Sequence, residues 1–474
     1  MRFYDRENEM KLLESHYALS AKGSIMNTIT GRRRIGKTRL IKEFIKDKEN
    51  TFYFFVTEKE SPLLLDDFRE QIKSAAGYSP SFRNWDEFFD YLFKLAAERH
   101  MIAVFDEFQN FSQVDRSVFS TLQKYWDEKK DGTRMLLFCI GSYVGLMKRV
   151  FHDDKEPLYG RTTSQIRIDP MDYRNTRKIL DDIGLKGEEE KITAYSIFGG
   201  VPKYYEILSM VGKKELGKTV IAAFLENGAP LAEEGNNLLV REFGGSYMTY
   251  FSILEAVSRG KCTLVEIADA IGFAPTTLGK YLFELANEYG VIVKRIPATE
   301  DEFKSKKGRY FLKDPLLKFW FEFIRKNKSA IEIGNFNVVL DQVEERIGSF
   351  IGKRYEDIVR ELLIHYNNRK LKGFEISFEK MGSWWDRSGN EIDVCAFSKE
   401  KMLLGEVKWS NKMVDVDLAE ALVEKSGLTG WKGRFGYLIC SKAGFTERCR
   451  RFASDNDILL LDIGDLRNAF DALP

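Results

Sequence analysis

One glycine-rich stretch limits the folds open to this chain more than any other feature. Residues 28–41 read TITGRRRIGKTRLI, in which Gly31, Gly36, Lys37 and Thr38 match the pattern G-x-x-x-x-G-K-[ST]. Glycines let a backbone curl until several N–H groups face one phosphate, and the helix that follows presents its positive end to the same anion. A lysine at this spacing reaches the β- and γ-phosphates, and the next hydroxyl can hold Mg²⁺. The pattern predicts a nucleotide-binding loop.

The flanking residues supply the strand–loop–helix order that such a loop requires. Residues 25–29 form a short apolar run typical of a buried strand, and residues 39–48 carry apolar side chains at helical spacing. A chance glycine-rich turn would lack this context. The expected ATP-binding residues are Gly31, Arg32, Arg33, Arg34, Ile35, Gly36, Lys37, Thr38 and Arg39, together with Asp106.

A predicted apolar strand over residues 101–105 ends in two acids, Asp106 and Glu107. In a nucleotide-hydrolysing site the first acid can hold Mg²⁺ through its water shell, and the second can orient and polarise the attacking water. Two solvated acids at a strand edge would give the same pattern. Their position after the phosphate loop favours the catalytic interpretation, with Thr38 and Asp106 as metal ligands.

Two later positions are candidates for contact with the nucleotide. Ser142 follows a strand predicted over residues 134–140, and Arg161, in the run PLYGR, can reach a phosphate in its own subunit or in a neighbouring one. A simple strand-to-loop turn and an exposed arginine without a role are equally consistent with these positions. Strands that alternate with helices predict a parallel, three-layer α/β sheet over residues 1–171.

Residues 172–240 have a helical pattern that the run FGGVPK interrupts. Gly199, Gly200 and Pro202 predict a tight turn there, because glycine allows backbone conformations that other residues avoid and proline fixes φ. We expect a helical lid with this turn near the nucleotide. The sequence leaves the role of the turn open.

Several motifs occur in a fixed order over the first half of the chain: FYDREN, GRRRIGKT, FDEFQ, GS, PLYGR and GGVPKYY. Together they resemble the archaeal-type ATPases of the signal-transducing P-loop class, which are relatives of AAA+ proteins. The resemblance implies that Lys37, Thr38, Asp106 and Glu107 bind and hydrolyse ATP. It also places Ser142 where ring-type and signalling ATPases keep a polar residue that senses the γ-phosphate.

Residues 241–330 show the pattern of a winged helix-turn-helix. Two short helices are predicted over residues 263–272 and 275–285, and two strands follow around a charged loop. The second helix is the candidate recognition helix, with Thr276, Thr277 and Lys280 exposed. Residues 291–329 contain eleven Lys or Arg and five Asp or Glu. That basic excess suits contact with DNA phosphates, whereas docking to a protein or to the rest of the chain is an equally weighted alternative.

The last third, residues 331–474, combines carboxylates with a lysine on a predicted hairpin. Asp393 lies on one strand, and Glu406 and Lys408 lie on one face of the next because side chains repeat every two residues. Two carboxylates can hold Mg²⁺ or Mn²⁺, and a lysine beside them can position a hydroxide and stabilise charge on a scissile phosphate. Glu356, from a predicted long helix, can add a third carboxylate. The alternative is that these charged residues form an ordinary solvent-exposed face of the hairpin without a chemical role.

Glu356, the pair Trp384–Trp385 and the runs EIDV and EVKW together resemble the restriction-endonuclease-like PD-(D/E)xK superfamily. More specifically, they resemble the poorly characterised C-terminal domain that accompanies these ATPases. The resemblance implies a nuclease-like domain with catalytic residues Asp393, Glu406 and Lys408 and metal ligands Glu356, Asp393 and Glu406. The superfamily includes folds that have lost cleavage, but no motif acid is missing here.

Composition excludes several other kinds of site. The five cysteines are scattered and contain no C-x-x-C, which argues for reduced thiols and against a disulfide frame or zinc site. The four histidines lie far apart in sequence, against a histidine metal site or a Ser-His-Asp triad. The net charge is only +1, so any basic surface must be local. A charged N-terminus and the lack of an apolar run near ~20 residues predict a cytoplasmic protein without a membrane partner.

The sequence therefore predicts an ATPase core (1–171), a helical lid (172–240), a winged helix (241–330) and a nuclease-like domain (331–474). The expected function is ATP hydrolysis coupled to DNA contact and to metal-dependent cleavage of nucleic acid. The alternative is an ATP-switched regulatory or DNA-binding protein with an inactive nuclease-like domain. Homo-oligomerisation is left open.

Overall fold

The structure, a computed structural model, describes residues 2–77, 80–212, 215–243 and 247–473. Within the first part of the chain the strands are β1 (Ile25–Thr30), β2 (Thr51–Phe55), β3 (Met101–Asp106), β4 (Met135–Gly141) and β5 (Ser164–Arg167). The helices around them are α1 (Glu7–Ser20), α2 (Lys37–Ile45), α3 (Ser61–Ala76), α4 (Trp85–Glu98), α5 (Phe111–Val114), α6 (Ser117–Lys129) and α7 (Val144–His152).

These strands form one parallel sheet in the order β2-β3-β4-β1-β5. Apolar side chains are buried on both faces, with Phe54 and Phe105 in one core and Ile29 and Phe138 in the other. Strands buried on both faces read as near-continuous apolar runs, which is why β3 and β4 were visible in the sequence. The predicted parallel α/β sheet is confirmed, and the phosphate loop joins β1 to α2.

The predicted lid is helical, and its last helix continues past the predicted end at residue 240. Its helices are α8 (Tyr173–Asp182), α9 (Glu188–Phe198), α10 (Pro202–Val211), α11 (Leu216–Val220) and α12 (Glu234–Phe243). Because α12 runs through residue 240, the boundary predicted there falls inside a helix. A change in sequence pattern marked this boundary, whereas a helix that bridges two regions carries no such change.

The middle of the chain contains helices and a short antiparallel hairpin. These elements are α13 (Tyr247–Ser258), α14 (Leu264–Ile271), α15 (Pro275–Phe283), β6 (Ile292–Arg295), β7 (Arg309–Leu312), α16 (Pro315–Phe319) and α17 (Lys328–Glu332). A capping box, in which Thr263 and Glu266 bond each other's backbone N–H groups, starts α14. Gly272 ends it in the left-handed conformation.

The last part of the chain is a second α/β unit. Its strands are β8 (Arg369–Leu371), β9 (Phe374–Ile376), β10 (Lys380–Trp385), β11 (Glu391–Phe397), β12 (Lys401–Lys408), β13 (Arg434–Ser441) and β14 (Ile458–Asp462). Its helices are α18 (Asn337–His365), α19 (Val416–Ser426), α20 (Glu447–Asp455) and α21 (Ile463–Asp471). Strands β10 to β14 form one sheet in sequence order, antiparallel as far as β12 and parallel after it.

One continuous apolar core joins the lid, the middle and the last part of the chain. It contains Tyr204 of α10, Leu254 of α13, Tyr355 of α18 and Phe470 of α21. The boundaries predicted at residues 240 and 330 therefore do not separate independent hydrophobic cores. A displacement in one of these regions must be accommodated by its neighbours, because close-packed interiors transmit strain.

The described residues also show the extent of the apolar helices and the state of the cysteines. No helix in the described ranges is long and apolar enough to cross a membrane. All five cysteines are free thiols, and only Cys262 is partly exposed while the others are buried.

Candidate functional site

The phosphate loop is shaped by its glycines and closed by its lysine. Gly31 and Gly36 have φ of +154° and +100°, and a Cβ on Gly31 would lie 2.5 Å from the carbonyl oxygen of Ile168. Glycine is therefore required at Gly31 on steric grounds. The buried Lys37 Nζ donates to the carbonyl oxygens of Gly31 and Arg32 at 2.7 and 3.0 Å. Phosphate oxygens at the loop would compete with those two acceptors for the ammonium group.

The two predicted metal ligands of this site are in direct contact. Thr38 Oγ1 donates to Asp106 Oδ2 at 2.8 Å, and Asp106 is buried at the end of β3. The Tyr53 hydroxyl donates to the same carboxylate oxygen. Burial first, and then the charge of Asp106, raise the pKa of Tyr53 far above its ordinary value. Sequence reasoning missed Tyr53, because only the pairing of β2 with β3 brings it beside Asp106.

Glu107 is held by two side chains in a strained backbone position. Its φ is +57°, which is uncommon for a residue other than glycine and is typical of functional sites. Its carboxylate accepts from Gln109 Nε2 at 2.6 Å and from Ser142 Oγ at 2.9 Å. The structure therefore links Glu107 to Ser142, as two motifs of one site. Gln109 lies within the FDEFQ motif but was not singled out in the sequence.

A cavity of about 320 Å³ adjoins the loop and falls in the size range of small-ligand sites, roughly 300–1,000 Å³. Its walls include Arg33 of the loop, Ser142, and Gly199 and Gly200 of the lid turn. A Cβ on Gly200 would lie 1.8 Å from the carbonyl oxygen of Met171, so the turn packs against the chain too closely for a side chain. The predicted turn thus lines a cavity beside the phosphate loop, although Lys37, Thr38 and Asp106 are not among the walls of that cavity, and α10 begins directly after the turn at Pro202.

Arg161 does not line this cavity. Its guanidinium pairs with Asp127 of α6 through contacts of 2.8 to 3.1 Å and also donates to the carbonyl oxygen of Tyr159. The structure therefore places Arg161 in an ion pair rather than against a phosphate of its own subunit. Contact with the nucleotide of a neighbouring subunit stays a prediction.

Arg32 and Arg34 of the loop connect it to distant parts of the chain. Arg32 donates to the Tyr204 hydroxyl at 2.7 Å and forms an ion pair with Asp314. Arg34 lies 3.0 Å from Glu234, which also accepts from the Tyr204 hydroxyl at 2.9 Å. The network joins the phosphate loop to α10, α12 and the start of α16. Of the other predicted loop residues, Ile35 is buried in the core and Arg39 is exposed on α2.

The predicted carboxylate–lysine group in the last part of the chain is also assembled. Lys408 Nζ lies 2.6 Å from Glu406 and 3.4 Å from Asp393, and both acids are buried. Asp393 Oδ2 also accepts from the backbone N–H of Val407 at 2.9 Å, which fixes it against β12. Burial opposes the charge of Lys408, but the two carboxylates raise its pKa above the usual value.

Glu356 lies beside this group on α18 but does not join it closely. Burial first, and then the charge of Asp393, raise the pKa of Glu356 to about 7. Its carboxylate pairs with Lys353 at 3.1 Å. The carboxylate oxygens of Glu356, Asp393 and Glu406 do not all lie within 4.8 Å of one another. The predicted three-carboxylate set is therefore not assembled as such, because Glu356 and Glu406 each face their own lysines.

Comparison with known proteins shows where this chain belongs. Residues 3–208 match a family described as an ATPase domain predominantly from Archaea, and residues 320–421 match archaeal and bacterial proteins of unknown function. The uncharacterized protein MJECL04 of Methanocaldococcus jannaschii is 31% identical over 435 residues, covering 90% of this chain and 92% of that protein. The chain belongs to this family of archaeal-type ATPases.

Solved structures support the fold of this ATPase. The Walker-type ATPase PABY2304 of Pyrococcus abyssi aligns with a TM-score of 0.53 and 19% identity, over 67% of this chain and 96% of that chain. At that identity the match shows a shared fold alone. Cdc6p from Pyrobaculum aerophilum aligns with a TM-score of 0.35 and 16% identity, over 73% and 96% of the two chains. That overlap is too loose to carry an argument.

One basic residue near the C-terminal carboxylates of the ATPase was not found in the sequence. Lys425, on α19, donates to Glu406 at 2.7 Å and to the carbonyl oxygen of Glu391 at 3.0 Å. Glu406 is thus placed between Lys408 and Lys425. No short motif marks Lys425, because it is brought to Glu406 by the packing of α19 on the sheet.

In the described ranges, three side chains that can ligate a metal lie within 4.8 Å of one another: Asp172, Glu361 and His365. The acids of this group act as helix caps: Glu361 accepts from the backbone N–H groups of Tyr173 and Arg174 at 2.9 and 3.0 Å. Asp172 also caps α8, and His365 lies 3.6 Å from it. These contacts satisfy the first N–H groups of α8 and attach the lid to α18.

Proposed function

We propose that this ATPase uses its nucleotide state to control a C-terminal domain that cleaves nucleic acid with a divalent metal. The observation that carries the proposal is the assembled group of Asp393, Glu406 and Lys408, with the lysine within 3.4 Å of both buried acids. The proposed division is an ATPase core (1–171), a lid that extends through α12, a winged helix, and a restriction-endonuclease-like domain that includes α18. The comparisons support ATP binding and hydrolysis, and the rest is our proposal.

At the ATPase site, Lys37 would hold the β- and γ-phosphates after leaving the two loop carbonyls. Thr38 and Asp106 would hold Mg²⁺, which offsets charge on the phosphates when bound. Glu107 would accept a hydrogen bond from the attacking water and orient it towards the γ-phosphate. Ser142 would orient Glu107 through their 2.9 Å hydrogen bond.

At the C-terminal site, Asp393 and Glu406 would share a divalent ion, for which hard carboxylate oxygens are suitable ligands. Mg²⁺ or Mn²⁺ would supply an activated water there. Lys408 would release Glu406 and stabilise the charge that builds on the scissile phosphate. Lys425 would remain as the counter-charge of Glu406 and keep it in place, and Glu356 would add a carboxylate once it moves from Lys353.

The arginines of the phosphate loop provide a physical link between the proposed ATPase site and the C-terminal part of the chain. Phosphate oxygens would draw Lys37 from the carbonyl oxygen of Arg32 and so move the loop. Asp314, the partner of Arg32, accepts from the backbone N–H of Leu317 at 3.1 Å and caps α16. Movement of the loop is therefore passed to α16 through one ion pair.

Asp314→Asn tests this coupling. Asparagine caps a helix about as well as aspartate, so α16 should keep its cap while the charge that pairs with Arg32 is lost. In wild type we expect a non-hydrolysable ATP analogue to change amide hydrogen exchange over residues 316–324, and in Asp314→Asn we expect most of that change to disappear. ATP affinity should change by less than threefold. An unaltered response in the variant would rule out this ion pair as the link.

The exposed face of α15 supports the proposal that the winged helix contacts DNA. Leu278 and Leu282 are buried, whereas Thr276, Thr277 and Lys280 are exposed, as predicted for a recognition helix. In the loop between β6 and β7, Phe303 is 95% exposed and is followed by the exposed Lys304 and Lys306. Apolar side chains flanked by lysines can insert between base steps while the lysines contact phosphates.

We predict weak, salt-sensitive binding to duplex DNA through this surface. Reversing the charges of Lys280, Lys304, Lys306 and Lys307 should weaken binding and flatten its salt dependence, because each phosphate contact releases counterions. Fluorescence anisotropy at several salt concentrations measures both effects. Since Lys307 also pairs with Glu300 at 2.5 Å, the variant with Lys307 retained is needed beside it. Lys370→Glu, on the exposed hairpin strand β8, is the matched control.

A specific set of contacts favours a second candidate function, in which the winged helix docks within the chain and the protein is an ATP-switched regulator. The backbone N–H of Ala298 donates to the carbonyl oxygen of Ser383 at 2.9 Å, and Arg295 pairs with Asp357 at 2.9 Å. The β6–β7 hairpin is thus attached to the C-terminal unit. Unchanged DNA binding after the charge reversals, together with no cleavage by wild type, would favour this candidate.

A further inference from the structure

A small basic cleft lies beside Glu356, where the β6–β7 hairpin, α16 and α18 meet the C-terminal sheet. Its volume is about 110 Å³. Its walls contain three carboxylates, those of Glu356, Asp357 and Glu391, against a larger set of basic side chains. The basic residues are Arg295, Arg309, Lys313, Lys318, Lys353 and Arg354. The excess of positive charge indicates a site for an anion.

Two of these basic groups have hydrogen-bonding capacity that the protein does not use. Across the residues that the structure describes, Lys318 has no carboxylate within 4.0 Å, and the contact its ammonium makes is with the Phe350 ring, at 4.8 Å from the centroid. Arg354 Nε is buried without an acceptor. Lys318 projects from α16, one turn after Asp314. A buried donor without a partner is costly, so Arg354 Nε points to a ligand that supplies oxygen atoms, and the half-buried ammonium group of Lys318 lines the same cleft.

The size and the aromatic walls of the cleft limit what that ligand can be. Its volume is well below the roughly 300–1,000 Å³ of ordinary small-ligand sites, so it can take a single anionic group rather than a whole nucleotide. The Trp385 ring also lines it, with the Arg309 guanidinium 4.7 Å from its centroid. Because Trp385 is buried beneath Arg309, the cleft offers positive charge rather than a stacking surface, which suits a backbone phosphate of a nucleic-acid strand.

We infer that this cleft binds one backbone phosphate of a nucleic-acid strand and so directs the strand to Asp393 and Glu406. The inference rests on the proposed function, since Glu356 lines the cleft and lies beside the candidate metal site. Lys318 and Arg354 donate to the phosphate oxygens, and the neighbouring phosphate extends towards the carboxylates. Lys313, Pro315 and Arg354 also line the larger cavity beside the phosphate loop, so the cleft adjoins the end of α16 that we propose responds to ATP.

The test is binding of fluorescent DNA, single-stranded and duplex, to the full chain in EDTA, where metal-dependent cleavage cannot occur. Lys318→Met keeps the apolar stem against Phe350 and removes the charge. We expect it to weaken binding about tenfold and to lower the slope of log K against log salt by about 0.7 for single strands or 0.9 for duplex, the loss of one phosphate contact. Lys318→Arg should bind DNA as tightly as wild type. The control variant Lys370→Met, at an exposed lysine outside the cleft, should also bind as tightly as wild type.

The outcomes separate this inference from the proposed function. Wild-type binding by Lys318→Met would overturn the inference even if the enzyme cleaves DNA. Loss of binding in that variant would support it even if no cleavage is ever observed. Displacement of DNA by inorganic phosphate at an equal total phosphate concentration would assign the cleft to a free anion, and lack of DNA binding by wild type would likewise overturn the inference.

Discussion

Glu107→Gln is expected to lower the rate of ATP hydrolysis by about 10²–10⁴-fold, the usual contribution of a positioned general base. Glutamine has the same shape and can still contact Gln109 and Ser142, so the site should remain folded. It cannot accept a proton or polarise water as a carboxylate does. ATP affinity should stay close to that of wild type, because Lys37, Thr38 and Asp106 are unchanged.

Steady-state hydrolysis and equilibrium binding of a fluorescent ATP analogue, measured on the same preparation, separate the two effects. Lys37→Ala is the contrasting variant and is expected to abolish ATP binding, since it removes the cation that faces the phosphates. Ser142→Ala should give a smaller loss of turnover, because Gln109 still holds the Glu107 carboxylate at 2.6 Å. Undiminished turnover in Glu107→Gln would exclude this carboxylate as the catalytic base.

Short apolar runs were enough to predict the two strands that carry the phosphate loop and Asp106. The strand predicted over residues 25–29 is β1, and the apolar run ending in Asp106 is β3. Both strands are buried on both faces of the sheet, so each is a nearly continuous run of apolar residues that can be recognised in the sequence. Glu107 and Ser142 were found for the same reason, since each follows the end of such a strand.

The connections between regions could not be predicted in this way. The pair Arg34–Glu234 and the pair Arg32–Asp314 join residues far apart in sequence. The sequence predicted that the two arginines bind ATP, and each of the two acids alone reads as an ordinary surface charge. Lys425 meets Glu406 only because α19 packs on the C-terminal sheet. Such contacts depend on tertiary packing, which a single sequence does not encode in any local spacing.

Tertiary packing also determines where the domains of this chain end, and local sequence patterns do not show it. Local patterns changed near residues 240 and 330, but α12 crosses the first position and a shared apolar core joins the regions on either side of both. A composition change reports the type of secondary structure, whereas a domain boundary depends on where packing stops.

Asp393→Ala is expected to abolish DNA cleavage by the C-terminal domain. Wild type should cut DNA in Mg²⁺ or Mn²⁺ and should bind without cutting in Ca²⁺ alone, because the smaller ions impose tight octahedral geometry and Ca²⁺ accepts looser coordination. Removing Asp393 takes away one of two proposed metal ligands, and it also frees the backbone N–H of Val407. Asp393→Asn, which keeps the oxygen that accepts from Val407, separates loss of charge from loss of structure.

Lys408→Ala should also stop cleavage, for a different reason. Metal binding should survive and can increase, since the ammonium group that neutralises Glu406 at 2.6 Å is gone, but charge on the scissile phosphate is no longer stabilised. The assay uses single-stranded, duplex and branched DNA and RNA, with ATP and with non-hydrolysable analogues, because the nucleotide state is proposed to control the site. Titration with Mn²⁺ then distinguishes the two variants: Asp393→Ala should lose the ion and Lys408→Ala should keep it. Equal cutting by both variants would assign the activity to another site or to a contaminant, and no cutting by wild type on any substrate would favour the regulatory function.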